Sequence, residues 1–180
     1  MNDVIRLELP LDEAAVRSLK AGDRVELTGV LWTGRDAAHR RWLEMLDRGE
    51  KLPIDLRGQT IYFVGPCPAR PGMPIGSAGP TTSGRMDAYS PRVMRELGIR
   101  GMIGKGDRSD AVIEAIKACG GVYFAATGGA GALIARSIRR AEVVMFPDLG
   151  PEAVHRLEVE AFPAVVAIDA EGRDLYRRRA

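Results

Sequence analysis

The 180-residue chain is poor in the side chains that hold metals: two cysteines, Cys67 and Cys119, and two histidines, His39 and His155. No Cys-x-x-Cys occurs, and neither histidine lies near a cysteine in sequence. A protein-held iron–sulfur cluster takes three or four thiolates and a structural zinc about four ligands, so this chain cannot build either alone. Long apolar runs are missing too. The longest, such as Ala164–Ile168, are strand-length and far short of the ~20 residues that span a bilayer. Nor is there an excess of charge: 26 Lys+Arg against 24 Asp+Glu leave a formal +2, no footprint for nucleic acid or a membrane surface. Met1–Arg6 lacks the basic flank, apolar core and cleavage site of a secretory leader. With so few cysteines, the expectation is a cytoplasmic chain without a disulfide framework.

What is present is a globular composition, 46% hydrophobic and 28% charged, at a length that suits one domain over residues 1–180. Ile5, Leu7 and Leu9 alternate with Arg6 and Glu8, the pattern of a half-buried strand. A short helix over Leu11–Leu19 and a strand over Arg24–Trp32 follow. Thr33-Gly34-Arg35-Asp36 opens a helix to Asp47, with Thr33 or Asp36 as its cap. Beyond it, strands are expected at Thr60–Val64, Arg100–Ile103, Gly121–Ala126, Val143–Phe146 and Pro163–Asp169. Helices are expected at Ser90–Leu97, Ser109–Cys119, Gly131–Arg140 and Pro151–Val159. Strands alternating with helices after residue 60 predict a parallel α/β sheet, and the front strands a second, antiparallel layer. Gly65–Pro80, crowded with Pro and Gly, is a loop of the length usually reserved for function.

Four segments could carry chemistry. Gly76-Ser77-Ala78-Gly79-Pro80-Thr81-Thr82-Ser83-Gly84-Arg85-Met86-Asp87 places three hydroxyls and a guanidinium within five positions of small residues. Backbone N–H groups, hydroxyls and an Arg fork are what a bound carboxylate requires. The bland alternative is a capped surface turn in which Arg85 pairs with Asp87. Gly104-Lys105-Gly106 follows a strand, the usual ligand edge of a parallel sheet, and lacks the spacing of a nucleotide P-loop. Thr127-Gly128-Gly129-Ala130-Gly131-Ala132 invites a dinucleotide reading, but Ile134 stands where the third small residue belongs. Arg35 and His39 lie one helical turn apart; Asp36 could fix the Arg35 guanidinium, and His39 reads as structural. No Ser-His-Asp or Cys-His spacing supports covalent hydrolysis.

Together these segments resemble the C-terminal (β) half of the iron–sulfur hydro-lyases of the class I fumarase and tartrate dehydratase family. The stretches that carry the resemblance are Thr33-Gly34-Arg35-Asp36 with His39, Gly76 through Asp87, Ile103-Gly104-Lys105-Gly106, Gly128 through Ala132, and Asp148-Leu149-Gly150 on to Ala164. The resemblance implies an α/β fold of the swivelling β/β/α type: a mostly parallel central sheet with helices on one side and a second, smaller sheet on the other. It implies a [4Fe–4S] cluster held by three cysteines of a separate α subunit, with none bound by this chain, in an α₂β₂ assembly. It implies that Arg35, Thr82, Arg85 and Lys105 bind a small dicarboxylate and that Thr81, with Arg85, acts catalytically. The expected reaction is reversible hydration of fumarate to L-malate. L(+)-tartrate dehydratase and mesaconate hydratase are the alternatives within the family. A non-catalytic assembly subunit and a nicotinamide-dependent oxidoreductase are the alternatives outside it.

Overall fold

The structure, a computed structural model, describes residues 3–126 and 131–177. Seven strands are present among them: β1 (Ile5–Glu8), β2 (Arg24–Thr33), β3 (Thr60–Tyr62), β4 (Gly101–Gly104), β5 (Val122–Ala125), β6 (Ile138–Met145) and β7 (Val154–Ile168). The helices are α1 (Glu13–Ser18), α2 (Asp36–Asp47), α3 (Ser90–Arg92, continued by a π-helical turn at Val93–Leu97), α4 (Asp110–Cys119) and α5 (Gly131–Ser137). Tight 3₁₀ turns lie at Ser83–Met86 and Pro147–Glu152.

The strands form one sheet in the order β1-β2-β3-β4-β5-β7-β6, and a further pairing of β2 with β7 closes it. Strands β2, β3, β4, β5 and β7 thus make a five-stranded barrel, with β1 and β6 attached outside it. β2 through β5 run parallel, while β7 is antiparallel to both β5 and β2. The mixed α/β class is as expected, but the front strands do not form a separate antiparallel layer. α1 crosses between β1 and β2, so the two pair in parallel and belong to the same sheet.

Closure depends on β7, the one long stretch that helical reasoning misassigned. The expected helix over Pro151–Val159 survives only as the 3₁₀ turn ending at Glu152; from Val154 the chain is extended. Leu157 and Val159 are buried at a spacing of two, and the segment hydrogen-bonds to β2 on one side and β6 on the other. Partners on both edges outweigh the local helical preference of Leu, Glu and Ala. The same pairing converts the expected end of the α5 helix into β6, which is extended from Ile138 and not from Val143. A bend at Ala161, with φ of 52°, and a register shift opposite Leu27 and Gly29 let β7 pass from the β6 side to the β5 side.

Period-two alternation divides the core. Tyr62, Ile103, Phe124 and Val166 point into the barrel with Leu27, Leu31 and Phe162. Their neighbours Ile61, Phe63, Met102, Tyr123 and Ala167 face outward, where α2, α3 and α4 cover them with Trp42, Val93, Met94, Val112 and Ile116. The Tyr62 hydroxyl donates to the Ala78 carbonyl at 2.5 Å, which ties the Gly65–Pro80 loop to the barrel interior. Burial pushes this phenol far above its ordinary pKa, so it remains a donor. The carboxyl ends of β2, β3 and β4 then lie side by side, and the chain leaving each carries one of the motifs read from sequence.

Candidate active site

The backbone assembles the first part of this strand edge. Thr81 N–H donates to the Phe63 carbonyl (2.7 Å), Lys105 N–H to the Thr81 carbonyl (3.3 Å) and Ser83 N–H to the Lys105 carbonyl (2.9 Å). Thr81–Ser83 therefore forms an extra rung between the extensions of β3 and β4, with Thr82 registered against Lys105. Gly104 permits it: a Cβ there would overlap the Ser83 hydroxyl and come within 2.9 Å of the Phe63 ring. Ser83 is buried beneath, with its hydroxyl 2.8 Å from that of Tyr123, and Tyr123 donates in turn to the Gly106 carbonyl at 2.8 Å. The two sides of the rung are thus fastened by one tyrosine.

The second part comes from β2 and α2. Arg85, on the 3₁₀ turn after the rung, donates Nη2 to Asp36 Oδ2 at 2.5 Å. Asp36 is the first residue of α2, and Arg35 precedes it in the half-buried cap position. Arg35 Nε lies 3.6 Å from Glu152 Oε1, and a Cβ on Gly65 would sit 2.8 Å from Arg35 Nη1, so the guanidinium packs directly on that glycine. Thr81, Thr82 and Lys105 are thereby brought together by the rung, and Arg35 and Arg85 by Asp36. Arg35 and Lys105 closely follow the ends of β2 and β4, while Thr81, Thr82 and Arg85 lie on the segment that returns to this edge beyond the loop after β3.

Several local pairings differ from the sequence expectations. Arg85 pairs with Asp36, not Asp87, and Asp36 fixes Arg85, not Arg35. Asp87 is taken by Arg108, whose side chain is fully buried: Nε donates to Asp87 Oδ1 (2.6 Å) and Nη2 to the Ser90 hydroxyl (2.7 Å). The Arg108 guanidinium also faces the rings of Phe63 and Tyr123 at 5.3 and 4.9 Å. Thr33 does not cap α2; its hydroxyl donates to the Ala153 carbonyl and accepts from His155 N–H, joining β2 to β7. Arg108, Tyr123 and Glu152 were missed because their partners are distant in sequence and no motif marks them. Of the glycine-rich dinucleotide candidate, Thr127–Ala130 lies outside the described residues. Gly131 opens α5 packed on residues 77–79 of the loop, its carbonyl accepting from Ala78 N–H at 3.3 Å.

His39 is structural, as expected. Its ring is fully buried 4.9 Å from Trp42 and 5.5 Å from Phe63, and Nδ1 lies 2.8 Å from the Arg35 carbonyl. Burial lowers its pKa from 6.5 to about 4, so the ring is neutral and Nδ1–H is the donor that holds Arg35 in place. The unfolded chain takes up this proton near pH 6.5 and the folded one only near 4, so stability is lost as pH falls through that window. The group is worth about 3 kcal/mol across the window. A His39→Gln variant, compared with wild type by urea unfolding at pH 7, 5.5 and 4.5, is expected to lose that share of the acid sensitivity. An identical pH slope would overturn the assignment.

The donor set does not fit a cluster. Cys67 is exposed in the loop after β3, at the carboxyl edge of the strands, whereas Cys119 ends α4 just before β5 begins at the other edge. Among the described residues no three His, Cys, Asp or Glu side chains are gathered to hold a metal ion, and no helix is long and apolar enough to cross a membrane.

The chain is thus a mixed α/β domain in which Arg35, Arg85, Lys105, Thr81 and Thr82 all lie on segments beyond the carboxyl ends of parallel strands. The chain belongs to the family described as Fumarase C-terminus, whose model matches residues 2–179. It is 42% identical over 86% of its length to the aerobic class I fumarate hydratase of Salmonella typhimurium, covering 27% of that protein. It is 38% identical over 97% of its length to the anaerobic class I fumarate hydratase of Escherichia coli, covering 32% of it. A Methanocaldococcus jannaschii protein named for the beta subunit of L(+)-tartrate dehydratase is 41% identical over 92% of this chain and is itself 88% covered. The chain thus spans about a third of the fumarate hydratases it matches and nearly all of the subunit-sized relative.

Proposed function

We propose that this chain is the β subunit of a two-subunit fumarate hydratase, reversibly hydrating fumarate to L-malate at a site shared with a cluster-bearing α subunit. The observation that carries the reading is the convergence of Arg35, Arg85 and Lys105 with Thr81 and Thr82 on one strand edge, in a chain of the fumarase C-terminal family. The three cations bind and orient the two carboxylates of the substrate, and Thr82 adds a hydroxyl donor. Thr81 holds or moves the proton at the carbon beside a carboxylate. A threonine hydroxyl is a weak base at neutral pH, so it requires a carboxylate from the other chain to activate it. Three cysteines of that chain would hold the [4Fe–4S] cluster, which would supply Lewis acidity toward the substrate hydroxyl. In this reading the chain swivels as a unit over its partner in a cytoplasmic α₂β₂ enzyme. L(+)-tartrate dehydration is the second reading, favoured by the match to nearly the whole of a subunit-sized relative carrying that name.

The test is purification with and without an α partner under anaerobic conditions. The isolated chain is expected to be inactive, and the complex brown, oxygen-sensitive and able to convert fumarate to malate. Turnover of tartrate and not of fumarate would select the second reading, and full activity of the isolated chain would overturn both.

A further inference from the structure

Asp36 and Arg85 form the tightest ion pair on the strand edge, and the pair is lopsided. The Arg85 side chain is 54% exposed and sits on a turn of only four residues, where nothing in its own segment fixes a long, flexible side chain. Asp36, 28% exposed, opens the twelve-residue helix α2, which is anchored in the core by Ala38 and Trp42. Only Nη2 of Arg85 is bonded to Asp36, which leaves Nη1 and Nε free of protein partners among the described residues. By contrast, Asp148 engages both terminal nitrogens of Arg41, Nη1 and Nη2. Furthermore, Asp36 Oδ1 is buried with no hydrogen-bond partner among the described residues.

We infer that Asp36 is a positioning residue for substrate binding: it tethers Arg85 by one nitrogen so that the rest of the fork meets a substrate carboxylate. The inference rests on the reading that Arg85 binds substrate. Arg35, 3.6 Å from Glu152, has no equivalent carboxylate tether at hydrogen-bond distance among the described residues.

A double-mutant cycle in the assembled enzyme tests it, with KM and kcat for the dicarboxylate and the melting temperature of the complex as readouts. Asp36→Asn keeps the shape but weakens the hold on Arg85, and is expected to raise KM about 10-fold while kcat changes much less. Asp36→Glu should restore much of the loss. In an Arg85→Ala background, Asp36→Asn should add nothing, because the residue acts only through Arg85. An unchanged or lowered KM in Asp36→Asn, or an effect that multiplies with that of Arg85→Ala, would overturn the positioning role and leave the functional reading standing. An unchanged KM in Arg85→Ala would overturn the functional reading itself. A drop in melting temperature without a change in KM would make Asp36 structural and also defeat the inference.

Discussion

Replacing Arg108 by leucine is expected to destabilise the protein by about 3–5 kcal/mol, the largest single effect on stability that the polar interior offers. The side chain is buried to the last few per cent, and among the described residues its charge is balanced by Asp87 alone. Asp87 divides its oxygens between Arg108 Nε at 2.6 Å and the Ser109 N–H, also at 2.6 Å, so the same carboxylate secures the entry to α4. Leucine fills part of the space between Phe63 and Tyr123 but leaves Asp87, whose side chain is 17% exposed, without a counter-ion. The cost comes mainly from the abandoned carboxylate, so a companion Asp87→Asn change should recover part of it. Urea unfolding at pH 7 of the single and double variants measures both quantities. A single variant within 1 kcal/mol of wild type would refute the role given to the pair. The consequence also reaches the candidate site, because Tyr123, stacked on Arg108, holds Ser83 and Gly106 on either side of Lys105.

Periodicity made the parallel strands and the covering helices α2 and α4 legible, because each buries one face and alternation or a helical stripe records it. The hydroxyl-rich run from Gly76 to Asp87 and the glycine-flanked Lys105 stood out in the sequence for their small residues and donors, and the structure sets the two segments side by side. Barrel closure was not legible. β7 carries Leu, Glu and Ala, residues content in a helix, and becomes a strand only because β2 and β6 offer hydrogen bonds on both edges. Charge pairing was hidden for a related reason. Asp36 meets Arg85 49 residues later and Asp87 meets Arg108 21 residues later, so both pairs are made by the order of the strands and not by spacing along a helix. The local alternatives, Asp36 with Arg35 and Asp87 with Arg85, lose because each acid is already committed across the fold.

That commitment alters the weight of the three cations and makes Lys105→Met the variant with the largest expected effect on turnover. Arg35 and Arg85 each face an acid of this chain, Glu152 and Asp36, whereas the exposed Lys105 ammonium has no ion-pair partner among the described residues. It is therefore the charge most available to a dianion. Its main chain is held by Thr81 and Ser83, and those bonds do not depend on the side chain. Lys105→Met should preserve fold and assembly while lowering kcat/KM of the complex by about 10²–10³-fold, the scale of truncating one member of a desolvated charge pair. Lys105→Arg keeps the charge but replaces a compact ammonium with a broad fork, and is expected to recover only a fraction. Steady-state kinetics, with melting temperature and size-exclusion profile as controls, decide the matter. Turnover within about threefold of wild type in Lys105→Met would remove this residue from substrate binding. Joined to an equally silent Arg85→Ala, it would leave the chain the role of an assembly subunit that closes over a partner's site without touching the substrate.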